Sequence, residues 1–224
     1  MKVNAVIKAN WSAPTNVTAC VVTRRADVDD VLQQKQVQWL QQVHGKDVLK
    51  LEAGVNISEP KADAIYTQLS GIVCGIHTAD CLPVFFSDQK GREIALAHAG
   101  WRGLAMGVLE NTLACFKAKH ESISVWFGPA IGPCHFEVGE EVRDIYLQQA
   151  SQATKKITSA AFVPGAKNGK WMADLYKLAQ IRLNDAGLFD ISGGGLCTFC
   201  DPENFYSYRR DKETGRLSSL IWLK

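Results

Sequence analysis

Two histidines and one cysteine stand where apolar strands are predicted to become turns. His44 follows Val43 and precedes a glycine, Cys81 lies in TADCLP, and His98 ends the apolar run IALAH. Loop ends on a rigid sheet often display functional groups, and two imidazoles with one thiolate suit zinc while leaving a fourth coordination position open. The long gaps between them form no short metal-binding motif, so packed, hydrogen-bonded side chains are the alternative.

Two carboxylates and a glycine turn lie beside these candidate ligands. Asp80 precedes Cys81, and Asp63 lies in a turn before IYT. Either could move protons or orient a ligand histidine, and turn hydrogen bonding is the simpler interpretation. In AHAGWRG a strand passes through Gly100 into a helix, which points backbone N–H groups at an anion, and Arg102 adds a positive charge. This pattern predicts a phosphate-sized anion beside the metal; a tight turn is the alternative.

Four further soft ligands form a less complete pattern. Cys197 and Cys200 form C-x-x-C, a redox or zinc half-site, but the chain has no second C-x-x-C and no H-x-x-H to complete it. We therefore interpret this pair as structural. Cys134 and His135 are adjacent, so in extended backbone their side chains point in opposite directions.

The elements that position these residues are predicted from hydrophobic periodicity. Apolar runs indicate strands at 17–23, 48–51, 71–76, 94–99, 123–127 and 217–223. Helical spacing indicates helices at 104–119, 140–150 and 174–186. Residues 151–170 look mostly irregular, and further strands are expected near Phe189 and Phe205. Because strands occur both in adjacent runs and singly between helices, we predict an α+β fold with a mixed sheet.

Composition excludes several classes of protein. The 224 residues are 46% hydrophobic and 21% charged with a net charge of +2, as in an ordinary globular protein. The basic residues are scattered, and no apolar run is long enough to cross a membrane, so neither nucleic acid nor membrane is an expected partner. Seven cysteines without a secretory start favour reduced thiols and a cytoplasmic location.

Several blocks together resemble one known family. The blocks are QVHGKDV, KADAIYT, TADCLPV, AHAGWRG, GPAIGPCHFEVG and YSYRRDKETGR. The chain resembles the YfiH/FAMIN family, whose members have been called polyphenol oxidases or laccase-domain proteins. The resemblance covers residues 11–224 and implies a single catalytic domain over 1–224 built as a mixed β-sandwich with flanking helices. It maps the family's metal ligands onto His44, Cys81 and His98.

The resemblance also implies an activity. It suggests a zinc enzyme that phosphorolyses adenosine, inosine and methylthioadenosine and deaminates adenosine, with purine nucleosides and phosphate as its small-molecule partners. One departure from the family pattern is a missing glycine-rich loop after Arg25, where TRRADVDD passes straight to a polar segment. The resemblance implies a substrate-binding role for Arg24, which lies just before this shorter connection.

Two other activities are compatible with the same residues. Two histidines and a cysteine can hold copper, as in a polyphenol oxidase, but the chain has five histidines and no H-x-H pair, too few imidazoles for a trinuclear copper cluster. Alternatively, Cys81 could be the nucleophile of a Cys-His hydrolase, in line with a peptidoglycan-precursor editing role known among relatives. Tight stoichiometric metal would argue against the hydrolase, because a metal-bound thiolate is a poor nucleophile.

Overall fold

The computed structural model describes residues 4–52 and 58–224, which form fourteen strands and seven helices. The strands are β1 Val6–Lys8, β2 Val17–Val22, β3 Val37–Gln38, β4 Val48–Leu51, β5 Ala64–Thr67, β6 Val73–Thr78, β7 Leu82–Asp88, β8 Ile94–Ala99, β9 Ile123–Phe127, β10 Glu137–Gly139, β11 Phe162–Pro164, β12 Lys170–Ala173, β13 Ile191–Gly193 and β14 Leu217–Leu223. The helices are α1 Val28–Leu32, α2 Trp101–Met106, α3 Val108–Leu113, α4 Glu140–Gln149, α5 Lys155–Ser159, α6 Leu175–Asp185 and α7 Tyr208–Asp211. None of these helices is both long and apolar enough to cross a membrane.

The strands form three sheets. A five-stranded sheet has the order β1-β2-β14-β6-β3, a six-stranded sheet has the order β13-β9-β7-β8-β5-β4, and β10-β12-β11 form a third. The β3/β6, β4/β5 and β13/β9 pairs are parallel, and the other pairs are antiparallel. Both large sheets are therefore mixed, which confirms the predicted α+β class and the sandwich with flanking helices.

Burial on both faces explains the most apolar strands. Every residue of β7 and β8 is buried. Because side chains alternate along a strand, Phe85 packs between the two large sheets while its neighbour Phe86 packs beneath the helices on the other face. The continuous apolar sequences of these strands therefore follow from their central place in the sheet.

Two predicted elements were wrong in detail. The helix expected at 104–119 is two short helices, because Gly107 adopts a left-handed backbone conformation with φ of 96° and ends α2. The segment 151–170 is mostly irregular, as expected, and α5, β11 and the first residue of β12 account for its regular part. Phe205 lies in a turn region rather than a strand, and its ring is buried against the core between the sheets.

Candidate metal centre and active-site pocket

Strand register brings the three candidate ligands to one end of the six-stranded sheet. In the antiparallel β7/β8 pair, Pro83 lies opposite His98, so Cys81, just before β7, ends beside the end of β8. Strand β5 pairs with the other edge of β8, and β4 pairs with β5, which brings the loop before β4 and its His44 to the same place. The pairing registers of β4, β5, β7 and β8 therefore bring the three side chains together at the strand ends, where the sequence placed them.

The ligand atoms are close enough to share one ion. The possible ligand atoms of His44, Cys81 and His98 all lie within 4.8 Å of one another. His44 Nε2 is 3.8 Å from Cys81 Sγ, and the two imidazole rings meet edge to face with centroids 4.9 Å apart. His98 is buried, with 3% exposure, whereas His44 is exposed. The group therefore has a rigid inner side and an open outer side.

Asp63 contacts two of the three candidate ligands. Its fully buried carboxylate lies 2.8 Å from His98 Nδ1 and accepts hydrogen bonds from the backbone N–H groups of Val43, His44 and Gly45. An imidazole whose Nδ1–H is held by a carboxylate presents Nε2 to a metal. The interpretation of Asp63 as a residue that orients a ligand histidine agrees with this geometry.

The charges of the metal-free group are strongly coupled. Burial opposes the Cys81 thiolate, but the charge of His98 and hydrogen bonds from both histidines outweigh it and lower the pKa of Cys81 to about 6. Burial likewise opposes the His98 imidazolium, but the Cys81 thiolate and Asp63 raise the pKa of His98 to about 9. Burial would raise the pKa of Asp63, and hydrogen bonds from His98 and from backbone amides hold it below its usual value.

Gly100 lies against two of the candidate ligands, so this position leaves no room for a side chain. A Cβ atom at this position would lie 3.0 Å from Cys81 Sγ and 3.1 Å from His44 Cδ2, so a larger side chain would push the ligands apart. The next residues begin α2, where the exposed Arg102 guanidinium lies over the Trp101 ring at 4.5 Å. Arg102 does not line the pocket that the described residues form beside the metal group, so its phosphate-binding role stays a prediction.

A pocket of about 540 Å³ opens at the candidate metal group formed by His44, Cys81 and His98. Besides the three ligands, residues from several elements line it, namely Gln42, His77, Thr78, Ala79, Asp80, Ile131, Phe136, Tyr208, Arg209 and Arg216. The sequence interpretation assigned no role to the arginines or to Tyr208, although the block YSYRRDKETGR contains all three. The block could have indicated these pocket residues, because it concentrates positive charge next to an aromatic ring.

Asp80 connects the segment that carries Cys81 to two neighbouring segments of the chain. It adopts a positive φ of 97°, and its carboxylate accepts hydrogen bonds from Thr198 Oγ1 and the Arg209 backbone N–H, each at 2.6 Å. Both carboxylate oxygens thus hold neighbouring chain segments in place beside Cys81. Its predicted catalytic role stays a prediction, and these contacts show that it also positions the pocket.

Arg24 lies away from this pocket. Its guanidinium stacks over Tyr206 with a distance of 5.0 Å to the ring centroid, and Nη1 donates to the carbonyl of Pro202. The chain then passes directly to α1, which Asp27 caps by accepting from the Asp29 N–H. The substrate-binding role of Arg24 stays a prediction.

The structure also completes the pattern of the C-x-x-C pair. Cys134 and His135 join Cys197 and Cys200 in a second group whose possible ligand atoms lie within 4.8 Å of one another. The side chains of Cys134 and His135 do not point apart, contrary to the expectation for extended backbone. Residues 132–136 form a turn, in which the His135 N–H bonds to the Gly132 carbonyl. Sequence spacing could not reveal a partner more than sixty residues away.

Three side chains that could hold a metal ion, beside an arginine-containing pocket at the end of a mixed sandwich, define a candidate metalloenzyme. Residues 10–224 match the family model described as multi-copper polyphenol oxidoreductase laccase. The purine nucleoside phosphorylase YfiH of Escherichia coli (strain K12) is 52% identical over 185 residues, covering 83% of this chain and 73% of the relative. The purine nucleoside phosphorylase PA4543 of Pseudomonas aeruginosa is 42% identical and covers 99% of both chains. The chain belongs to this YfiH family.

Solved structures share the fold. The crystal structure of Neisseria meningitidis protein NMB0706 matches with a TM-score of 0.89 and 36% identity, covering 99% of this chain and 100% of that one. The crystal structure of the Bacillus licheniformis hypothetical protein YfiH matches with a TM-score of 0.85 and 26% identity over 93% of each chain. The described part of the chain therefore has the architecture of these solved structures.

Proposed function

We propose that the protein is a metal-dependent purine nucleoside phosphorylase and that residues 1–224 form one catalytic domain. The observation that carries the proposal is the opening of the His44–Cys81–His98 group into a pocket that also contains arginines. Relatives that are 42–52% identical bear the name purine nucleoside phosphorylase, which supports the same substrate class here. Purine nucleosides and phosphate are the proposed small-molecule partners, and the cytoplasm is the proposed location.

The three ligands fit zinc in chemistry and spacing. One thiolate and two imidazoles within 4.8 Å of one another form a soft-to-borderline set, and Asp63 orients the buried imidazole as in many zinc sites. Zinc is therefore the proposed cofactor. When bound, the ion would supply a Lewis acid at the inner end of the pocket.

The other pocket residues fit a nucleoside and an anion. Phe136, Ile131 and Tyr208 offer apolar and aromatic surface suited to a purine ring. Arg209 and Arg216 place positive charge in the same pocket, where a phosphate oxygen would attack the ribose C1′ as the bond to the base nitrogen breaks. The electron pair of that bond leaves with the base, which takes up a proton.

The direct test is a product assay on metal-replete protein. Adenosine or inosine with phosphate should give free base and ribose 1-phosphate, and phenol oxidation should stay negligible without added copper, because five histidines are too few for the trinuclear copper cluster of a laccase. Chromatography identifies the products. Strong copper-dependent phenol oxidation without any phosphate-dependent base release would overturn the proposal in favour of a polyphenol oxidase.

We also propose that the same pocket deaminates adenosine, as the family resemblance suggests. In deamination the oxygen of water bonds to C6 of the purine as the C6–N bond breaks and ammonia leaves. No phosphate is needed, so inosine should accumulate from adenosine when phosphate is omitted. This independence gives each variant two reactions to compare in one preparation.

Arg216→Ala should impair phosphorolysis more than deamination. Loss of a charge-assisted contact costs about 1.5–3 kcal/mol, which corresponds to roughly a 10- to 100-fold increase in the KM for phosphate. Arg102→Ala is the matched comparison, because Arg102 lies outside the pocket and carries the alternative phosphate hypothesis. A larger loss in Arg102→Ala would place the phosphate at the start of α2 instead.

Metal affinity should rise with pH between about 6 and 9. In this range the metal-free group holds a Cys81 thiolate and a protonated His98, whose pKa values are about 6 and about 9. Binding must displace one proton from His98, so affinity should increase about tenfold per pH unit and level off above the pKa of His98. Calorimetry in buffers of different ionisation enthalpy should show about one proton released per ion at neutral pH. A metal affinity that does not change with pH across this range would show that binding does not displace the His98 proton.

One observation favours a second candidate. Cys81 Sγ lies 3.8 Å from His44 Nε2, as in the nucleophile–base pair of a Cys-His hydrolase, and burial is outweighed by the charge of His98, which lowers the pKa of Cys81 to about 6. The two functions differ in their use of metal, because an ion on Sγ blocks attack by the thiolate. Hydrolysis by metal-free protein that stops on zinc addition would support the hydrolase.

A further inference from the structure

A second cluster of soft ligands lies outside the proposed catalytic group. Cys134 Sγ is 3.4 Å from Cys200 Sγ and 3.7 Å from Cys197 Sγ. His135 Nδ1 is 3.2 Å from Cys134 Sγ and 3.3 Å from Cys200 Sγ. Three thiols and one imidazole nitrogen thus converge on one point from two segments of the chain.

These distances match the edges of a zinc tetrahedron. Zinc binds sulfur at about 2.3 Å and nitrogen at about 2.0–2.1 Å, which separates two sulfur ligands by about 3.8 Å and a sulfur from a nitrogen by about 3.5 Å. The observed separations of 3.4 and 3.7 Å between sulfurs, and of 3.2 and 3.3 Å between sulfur and nitrogen, lie within a few tenths of an ångström of those edges. The sulfurs are too far apart for a disulfide, in which they lie about 2.05 Å apart.

The backbone holds the cluster in place. Ala130 and Cys197 form a parallel bridge, in which the Ala130 N–H bonds to the Leu196 carbonyl and the Thr198 N–H bonds to the Ala130 carbonyl. This bridge fixes the C-x-x-C segment against the start of the turn that carries Cys134. The ligands are therefore brought together by main-chain contacts that do not depend on an ion.

Two local features adapt this framework to a metal. A Cβ atom on Gly132 would lie 3.2 Å from Cys197 Sγ and 3.4 Å from Cys134 Sγ, so the glycine allows the close approach, and its N–H donates to Cys197 Sγ at 3.2 Å. The His135 ring stacks on Phe199 with centroids 3.9 Å apart, which fixes Nδ1 toward the sulfurs. N–H donors to thiolates and an oriented imidazole are typical support for bound zinc.

We propose that Cys134, His135, Cys197 and Cys200 bind one structural zinc ion. Four protein ligands complete the tetrahedron, so the ion has no open position for substrate. This inference stands independently of the proposed nucleoside chemistry, because it rests only on these four side chains and the turn that carries them.

The ion would brace one wall of the active-site pocket. The carbonyl of His135 accepts from Arg209 Nη1 at 3.3 Å, and Thr198, between the two cysteines of C-x-x-C, donates to Asp80. Arg209 and Asp80 both line the pocket. A zinc ion that joins the 134–135 and 197–200 segments would therefore stabilise the positions of Arg209 and Asp80.

The test is zinc content by elemental analysis of the full chain and its variants. We expect two zinc ions per chain in the unaltered protein, one in Cys200→Ser and one in Cys81→Ser. Cys115→Ser is the matched control, since Cys115 is partly buried and belongs to neither cluster; it should keep two.

Spectroscopy of Cys81→Ser identifies the ligands without relying on activity. Its remaining zinc should show three sulfurs and one nitrogen by X-ray absorption, and cobalt substitution should give a strong thiolate-to-cobalt charge-transfer band. A Cys81→Ser protein that binds neither zinc nor cobalt would overturn the proposal, as would a Cys134–Cys200 disulfide found by peptide mapping under reducing cellular conditions. If Cys200→Ser fails to fold, the Cys81→Ser measurements alone still decide.

Discussion

Phosphorolysis should fall by about a thousandfold or more in Cys81→Ser and in His98→Ala. Each substitution removes one of three proposed ligands, and a thousandfold loss corresponds to roughly 4 kcal/mol of transition-state stabilisation. His98 is also buried beside Asp63, so alanine there leaves a charged carboxylate without its partner. Phosphate-dependent base release and zinc content measure the two consequences.

Zinc content and circular dichroism together distinguish loss of metal from loss of fold. Zinc content should fall by one per chain in each variant, while circular dichroism stays that of the unaltered protein. Cys115→Ser makes the same chemical change at a thiol that lies outside both ligand groups and whose Sγ donates to the Asn111 carbonyl, and it should keep full activity. Folded Cys81→Ser protein with undiminished metal and activity would show that Cys81 is no ligand.

The sequence predicted the site where local chemistry was sufficient. His44, Cys81 and His98 were recognisable because each lies where a predicted strand meets a turn, and such a boundary is a local signal. Their convergence depends on the β7/β8 and β5/β8 registers, which sequence periodicity does not specify. The family resemblance supplied that missing information.

The C-x-x-C cluster shows the limit of local reasoning. Its four ligands come from segments joined by the parallel bridge between Ala130 and Cys197, a pairing that no short-range pattern predicts. The broken helix at Gly107 is a different case, because the apolar spacing continues through the glycine and only its left-handed φ ends α2. Nonlocal pairing and backbone handedness are the two physical features that periodicity could not supply.

Asp63 is the residue on which both the ligand loop and the buried imidazole depend. One carboxylate oxygen accepts from the His44 N–H at 2.9 Å and faces His98 Nδ1 at 2.8 Å. The other accepts from the Val43 and Gly45 N–H groups at 3.2 and 2.6 Å. An asparagine could not replace this arrangement, because in either orientation its amide N–H₂ would face donors and one pair would lose its acceptor.

Asp63→Asn should therefore weaken both metal binding and the fold. We expect metal affinity to fall 10- to 100-fold, because the orienting carboxylate is lost, and stability to fall by about 3 kcal/mol, because buried donors lose their acceptor. At this chain length that loss lowers the Tm of metal-free protein by roughly 6–12 °C. Zinc titration and thermal unfolding measure the two effects. Asp47→Asn, at an exposed position in the same loop, should change neither. Equal behaviour of the two variants would mean that Asp63 does not support the metal site.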